Sequence, residues 1–264
     1  MISLTRLSKD IKSAATILSD QEVRFLVDAY YIIQNDRIRS ANQVRAMGQS
    51  EEPHLLLDWL LTQFELLENE IKKSLEVYSL NHPIGQWLRS ICGIGPVIAS
   101  GFLSHIDIKK AQTVGAIWRY AGLDPTCEWN KGEKRPFNAT LKTLCWKLGE
   151  SFVKVSSNDK DFYGKIYLQR KQEEIARNEA GLYAEAARLK LEKFKIGKDT
   201  DAYKAYSVGK LPPAHLHARA KRYAVKLFLS HLHEFWFVHE FGVMPPLPYP
   251  LRLEGHQHKI EIPV

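Results

Sequence analysis

Apolar residues recur three and four positions apart in the segment after residue 53, and this spacing constrains the fold more than any other feature. Such spacing places side chains along one stripe of an α-helix and is typical of a coiled coil. Ser19 and Glu22 are spaced as in a capping box, which predicts a preceding helix that ends near Ala46. Residues 19–80 are therefore expected to form a helical arm, either an antiparallel hairpin within the chain or a coiled-coil arm that makes a homodimer. The stripe contains Leu57, Leu60, Phe64, Leu67, Ile71 and Tyr78.

A second informative segment, residues 91–103, reads Ile-Cys-Gly-Ile-Gly-Pro-Val-Ile-Ala-Ser-Gly-Phe-Leu. Proline favours the first turn of a helix, and glycine adopts positive φ at little cost, so the segment predicts two helices joined by a sharp turn. Backbone N–H groups at a helix start can bind a phosphate oxygen. This helix-hairpin-helix pattern predicts binding to a nucleic-acid backbone, and an ordinary helical corner without a ligand is the alternative. The predicted contact residues are Gly93, Ile94, Gly95 and Pro96.

The charge of the chain favours an anionic partner. It has 37 Lys and Arg residues against 30 Asp and Glu residues, a formal net charge of +7. DNA, or a structured RNA, is the commonest partner of such a chain. Cations are concentrated in residues 131–147 and 201–226, whereas residues 51–76 are acidic. Clustered cations neutralise phosphates, although each cluster could also be a solvated helix face. The expected phosphate-binding residues are Lys131, Lys134, Arg135, Lys142, His215, Arg219, Arg222 and Lys226.

Several classes of function are not favoured by the sequence. The three cysteines show no CxxC spacing, which argues against a zinc site or a disulfide framework and for a cytoplasmic protein. No apolar run approaches the roughly 18 residues of a membrane span. Histidines two apart on a helix point in different directions, so no metal or cofactor is expected from His215 with His217 or from His231 with His233. His256 and His258 would share one side of a strand, which is a weak metal hypothesis.

The sequence predicts a mainly α fold in three parts. These are a helical arm at residues 1–82, a helix-hairpin-helix domain at residues 83–158, and long helices with an extended proline-rich tail at residues 159–264. In the second part, one helix ends at Gly122 and another begins at Asn138. The segment between them, residues 126–137, is expected to form a small β-hairpin, with a basic loop as the alternative. The third part is expected to contain helices at residues 159–195 and 211–240 and a strand near residues 260–262.

Two stretches of the chain resemble a known family. They are Leu88–Pro96 with Ala99, and Trp118–Pro125, which reads Trp-Arg-Tyr-Ala-Gly-Leu-Asp-Pro. Together they resemble the C-terminal domain of the DEDD/serine insertion-sequence transposases, the bridge-RNA-guided recombinases, over roughly residues 20–170. Members of that family also carry a coiled-coil arm before this domain. The resemblance implies that Ser151 is a recombinase nucleophile that attacks a phosphodiester, and a small residue at a helix contact is the alternative.

The chain also departs from this family. The family adds an N-terminal RuvC-like domain with four acidic metal ligands, which needs a β-sheet core that the first 90 residues do not encode. In addition, Phe137 stands where the family commonly has glycine. We therefore expect a sequence-tolerant DNA-backbone-binding protein of a phage or mobile element. The alternatives are a serine recombinase subunit acting with a partner nuclease chain, and a coiled-coil assembly protein.

Overall fold

The computed structural model describes residues 6–48, 55–252 and 259–263, and within these ranges the regular secondary structure is helical, with no β-strand. This confirms the predicted mainly α fold. A short 3-10 turn, Ala14–Ile17, follows the first helix. The helices are α1 Lys9–Ser13, α2 Asp20–Gly48, α3 Leu55–Leu80, α4 Pro83–Ser90, α5 Pro96–His105, α6 Val114–Tyr120, α7 Ala139–Val155, α8 Tyr163–Glu179, α9 Ala184–Lys193, α10 Asp201–Ser207, α11 Pro213–Phe241 and α12 Tyr249–Arg252.

The packing divides the chain into two compact units, Met1–Lys110 (unit 1) and Ala111–Val264 (unit 2). These units do not coincide with the three predicted parts. In unit 1, α5 packs against both α2 and α3, so the predicted arm and the Gly-Ile-Gly-Pro turn belong together. In unit 2, α11 packs against α6, α7 and α8, so the residues on either side of residue 158 share one core.

Unit 1 is built on the antiparallel pair α2 and α3. The predicted capping box is present: Ser19 N donates to Glu22 Oε2 at 2.8 Å, and Glu22 N donates to Ser19 Oγ at 3.4 Å. At the middle of α2, Gln34 donates to Glu68 on α3 at 3.0 Å. The two helices thus pack on each other within one chain, and a homodimer through residues 19–80 stays a prediction. Their shared core with α5 consists of Val23, Val27, Tyr30, Leu75 and Val97.

The core of unit 2 is aromatic where α7, α8 and α11 meet. The rings of Phe152 and Tyr163 stack with their centroids 4.9 Å apart, and Phe228 packs edge-on against Tyr163 at 5.5 Å. Gly164 allows α8 to approach α7, because a Cβ there would lie 2.5 Å from the Phe152 carbonyl oxygen. This core fixes the position of α7, whose first turn carries part of the candidate site.

Three details of the sequence prediction are wrong. Residues 126–137 form an irregular loop rather than a β-hairpin. The helix predicted over residues 159–195 is two helices, α8 and α9, because Gly181 has a φ of +73° and ends the first one. In the tail, residues 259–263 are irregular rather than a strand, and His256 with His258 lies outside the described residues. No helix in the described ranges is long and apolar enough to cross a membrane.

Candidate nucleic-acid interface

The Gly-Ile-Gly-Pro turn of unit 1 joins α4 to α5 as predicted. Gly93 has a φ of +89°, a left-handed conformation that glycine adopts without strain. Position 95 does not require glycine for this reason, because Gly95 has a φ of −84° and an extended backbone that any residue can adopt. Gly95 is the N-cap of α5 and offers no side-chain acceptor to the first N–H groups of the helix, while Pro96 starts the helix. Ile94 and Pro96 are buried, so the two glycines form the accessible part of the turn.

The arginine beneath this turn has a structural role. Arg89 Nη1 donates to the Ile94 carbonyl at 2.8 Å and thereby holds the turn closed. Its Nη2 lies 3.2 Å from a carboxylate oxygen of Glu76, which neutralises the guanidinium. A phosphate at this turn would therefore be bound by backbone N–H groups, which bind weakly compared with free cations.

The loop between α6 and α7 in unit 2 has a defined shape without strands. At its start, Asp124 Oδ1 accepts bonds from the Thr126 amide at 2.9 Å and hydroxyl at 2.7 Å, and these bonds lower the pKa of Asp124. At its end, the Asn138 amide donates to the Tyr120 carbonyl at 2.8 Å. The Asn138 side chain caps α7 by accepting from Leu141 N at 2.9 Å. Bonds between side chains and backbone thus replace the ladder of the predicted hairpin.

Four of the predicted phosphate-binding cations lie on this loop and on the first turn of α7. All four are exposed, and within the part of the chain that the structure describes none has a carboxylate at ion-pair distance. Two of them lie over aromatic rings instead: the guanidinium of Arg135 is 5.4 Å from the Trp129 ring centre, and the ammonium of Lys142 is 4.2 Å from the Phe137 ring centre. We call this set the loop cations: Lys131, Lys134, Arg135 and Lys142.

Two of the loop cations line a shallow open depression. Tyr120 lines one part of it, together with Lys134, Arg135 and residues 136–138. The Tyr120 hydroxyl accepts from Asn138 Nδ2 at 2.9 Å, so the ring orientation is fixed. An open basic depression with an aromatic wall can hold an anionic group and a flat ring at the same time.

The second predicted basic segment, residues 201–226, is arranged differently. Four of its six cations are in ion pairs. Arg219 Nε lies 2.6 Å from Glu174, a carboxylate that is 1 % exposed and also bonded by Arg170 and by the Tyr183 hydroxyl. The other three pairs are Lys204 with Asp201, Lys210 with Glu179, and Lys221 with Glu150.

The remaining candidates of this segment differ in burial and in charge. His215 is half-buried beside the Tyr206 hydroxyl at 3.4 Å, and burial lowers its pKa, so it is neutral at pH 7. Lys226 is half-buried, with its ammonium 4.1 Å from the Trp118 ring centre, and burial lowers its pKa as well. Arg222 is exposed. His215, Arg219 and Arg222 are thus close together on α11, and the charges of both arginines contribute to the lowered pKa of His215. Arg219 is neutralised by Glu174, however, so this stripe offers a phosphate less positive charge than the sequence predicts.

Ser151 lies on α7, half-buried, between Glu150, which pairs with Lys221, and the core residue Phe152. Within the described residues, no group of three or more histidine, cysteine or acidic side chains could hold a metal ion. His231 is a buried, hydrogen-bonded core residue, since its ring nitrogens contact the Tyr163 hydroxyl at 2.9 Å and the Ile260 carbonyl at 2.8 Å. The role of Ser151 as a nucleophile stays an implication of the sequence resemblance.

The aromatic residues near the loop cations are not among the residues that the sequence predicts to bind phosphate. Trp129, Phe137 and Tyr120 lie among the loop cations, with Trp129 40 % exposed and Tyr120 43 % exposed. The signal was present in the sequence, where Trp129 and Phe137 flank a stretch that contains three basic residues. No protein-family model, curated protein or solved structure matches this chain.

Proposed function

We propose that this protein binds nucleic acid through the phosphate backbone, with little dependence on base sequence. The observation that carries the proposal is the set of loop cations in unit 2, which are exposed and have no carboxylate partner among the described residues. Cations that are not neutralised by the protein itself are free to replace the counterions of a nucleic acid. Three of these cations lie on a loop and one on the first turn of α7, rather than all on one helix face. This arrangement is compatible with contacts to phosphates that are not spaced in a regular row.

The Gly-Ile-Gly-Pro turn of unit 1 supports the same proposal independently. Gly93 and Gly95 leave the start of α5 without side-chain obstruction, and the N-cap provides no competing acceptor. A phosphate oxygen at this position would interact favourably with the positive end of the helix. We assign this turn a secondary role, because the arginine that contacts it, Arg89, is paired with Glu76.

The experiment compares two variants that remove equal charge. In the first, the loop cations Lys131, Lys134, Arg135 and Lys142 are replaced by alanine. In the second, four paired cations are replaced by alanine, namely Lys110, Arg188, Lys204 and Lys210. Binding to labelled DNA of two unrelated sequences is measured by anisotropy over a series of salt concentrations. Each lost phosphate contact is expected to lower the salt slope by about 0.9 on duplex DNA.

We expect the loop variant to lose most of its affinity and salt dependence equally on both sequences. The paired-cation variant should retain both. Equal losses in the two variants would mean that net charge alone drives binding, and an unaffected loop variant would refute the proposal. Thermal unfolding of both proteins checks that the substitutions leave the fold intact.

A further inference from the structure

The loop between α6 and α7 combines each of two aromatic rings with a cation. Arg135 lies over Trp129 at 5.4 Å, and Lys142 lies over Phe137 at 4.2 Å. Exposed aromatic residues also occur elsewhere in the described chain, but on this loop the exposed Trp129 and the half-buried Phe137 each lie beside an exposed cation that has no carboxylate at ion-pair distance among the described residues. A nucleotide carries a flat π-system and a phosphate within one residue, so a ring with an adjacent cation matches both parts of it.

We propose that this loop binds single-stranded nucleic acid, with unpaired bases stacked on Trp129 and Phe137 and the flanking phosphates bound by Arg135 and Lys142. The inference rests on the proposed function and specifies its substrate class. In a duplex, the faces of the bases are covered by neighbouring base pairs and are not accessible to a protein ring. Proteins that bind single strands combine a basic surface with aromatic rings on which the bases stack.

The rings are held in position before any ligand binds. Trp129 Nε1 donates to the Glu133 carbonyl at 2.8 Å, and Glu133 in turn accepts from the Asn130 amide at 3.1 Å. Phe137 packs against Gly122, where an added Cβ would lie 2.9 Å from the ring. Side chains that are ordered in advance lose less conformational entropy on binding, which favours stacking affinity.

The loop also lacks features that would favour a purely electrostatic duplex contact. Its basic residues are not arranged along a helix that could enter a major groove, and the loop itself carries the acidic residues Glu128 and Glu133. The Glu133 carboxylate accepts a hydrogen bond from the Asn130 amide, and its backbone carbonyl accepts one from the Trp129 indole. Glu133 therefore stabilises the loop conformation and is not part of the proposed ligand site. The mixture of rings and cations is better suited to a flexible strand that can follow an irregular surface.

The test uses the full chain and three variants. Trp129→Ala removes the ring, and Trp129→Phe keeps a ring but loses the indole N–H that bonds to Glu133. Trp59→Ala is the matched control, because Trp59 is 54 % exposed but lies on α3 next to Asp58. Affinities are measured by anisotropy for labelled oligothymidylate of about 20 nucleotides, long enough for one such site, and for a duplex of equal length. An oligouridylate of the same length compares DNA with RNA.

We expect Trp129→Ala to weaken oligothymidylate binding about 5- to 150-fold and duplex binding less than about twofold. Trp129→Phe should recover most of the single-strand affinity, and Trp59→Ala should behave as the unmodified protein. The inference is overturned if Trp129→Ala weakens both ligands equally or neither, or if Trp129→Phe is as weak as Trp129→Ala, since the indole hydrogen bond would then be the relevant feature.

This outcome is separable from failure of the proposed function. If the loop-cation variant loses binding while Trp129→Ala retains it, the backbone-binding proposal stands and the single-strand inference fails. If the loop-cation variant binds every probe as tightly as the unmodified protein does, the proposed function fails and the inference fails with it.

Discussion

Two segments of unit 2 are alike in sequence and different in structure. Residues 131–147 and residues 201–226 are both rich in lysine and arginine and poor in acids. In the first segment, the loop cations are exposed and lack a carboxylate partner within the described chain. In the second, most cations are bound to carboxylates of α7, α8 or their own helix, and Arg219 reaches the buried Glu174. A basic segment is available for a ligand only where the fold has not already neutralised it.

We call residues 201–226 the paired segment, and the largest effect is expected at Glu174, the buried carboxylate on α8 that pairs with Arg219 of this segment. Glu174→Ala removes a carboxylate that Arg219, Arg170 and the Tyr183 hydroxyl share. Arg219 then loses its anion, while Arg170 keeps its pair with Glu173. Removing one member of a buried ion pair is expected to lower the free energy of unfolding by about 3 kcal/mol. Urea denaturation measures this change.

The control for Glu174→Ala is Glu185→Ala, which breaks an exposed pair with Arg188. Such a change at the surface should alter stability by no more than about 0.5 kcal/mol. If the two variants lose similar stability, the ion pair of Arg219 with Glu174 contributes no more to the fold than a surface pair does. The two basic segments would then not differ in their structural role.

A pair of arginine variants separates the roles of the two segments more finely. Arg219→Ala deletes a charged hydrogen bond to Glu174 and should lower the free energy of unfolding by about 2 kcal/mol, with no change in the salt slope of binding. Arg135→Ala should leave stability nearly unchanged and lower the slope by about 0.9 on duplex DNA. Denaturation and salt-dependent anisotropy are measured on both proteins. The reverse pattern, a binding defect in Arg219→Ala alone, would place the interface on α11.

Local signals were sufficient to predict most of the helices. The capping box at Ser19, the cap at Asn138 and the positive φ of Gly122 act within a few residues, so the sequence reveals them directly. The polar pattern of residues 159–195 continues through the break at Gly181, which is why one helix was predicted there instead of two. The predicted β-hairpin at residues 126–137 does not form, because hydrogen bonds that Asp124 accepts and the Trp129 indole donates take the place of a strand ladder.

The candidate site was only partly predictable for a physical reason. The sequence correctly predicts that the loop cations are exposed, because no residue distant in the described chain packs over them. The pairing of the other segment depends on residues far away in sequence: Arg219 lies 45 residues from Glu174, and Lys221 lies 71 residues from Glu150. No spacing rule connects such positions, since only the packing of α11 on α7 and α8 brings them together.

The smallest expected effect tests the criterion that separates the segments. Lys204 and Asp201 form an exposed pair, 3.6 Å apart, with 67 % of the Lys204 side chain accessible. Lys204→Ala should change stability by less than about 0.5 kcal/mol, because exposed ion pairs contribute little. We also expect an unchanged salt slope, since Asp201 already neutralises the local charge. Denaturation and anisotropy measure the two quantities. If Lys204→Ala lowers the salt slope of binding as much as Arg135→Ala does, an ion pair with an exposed carboxylate does not prevent a cation from binding nucleic acid. Burial of the partner, as at Glu174, would then be what makes a basic residue unavailable to nucleic acid.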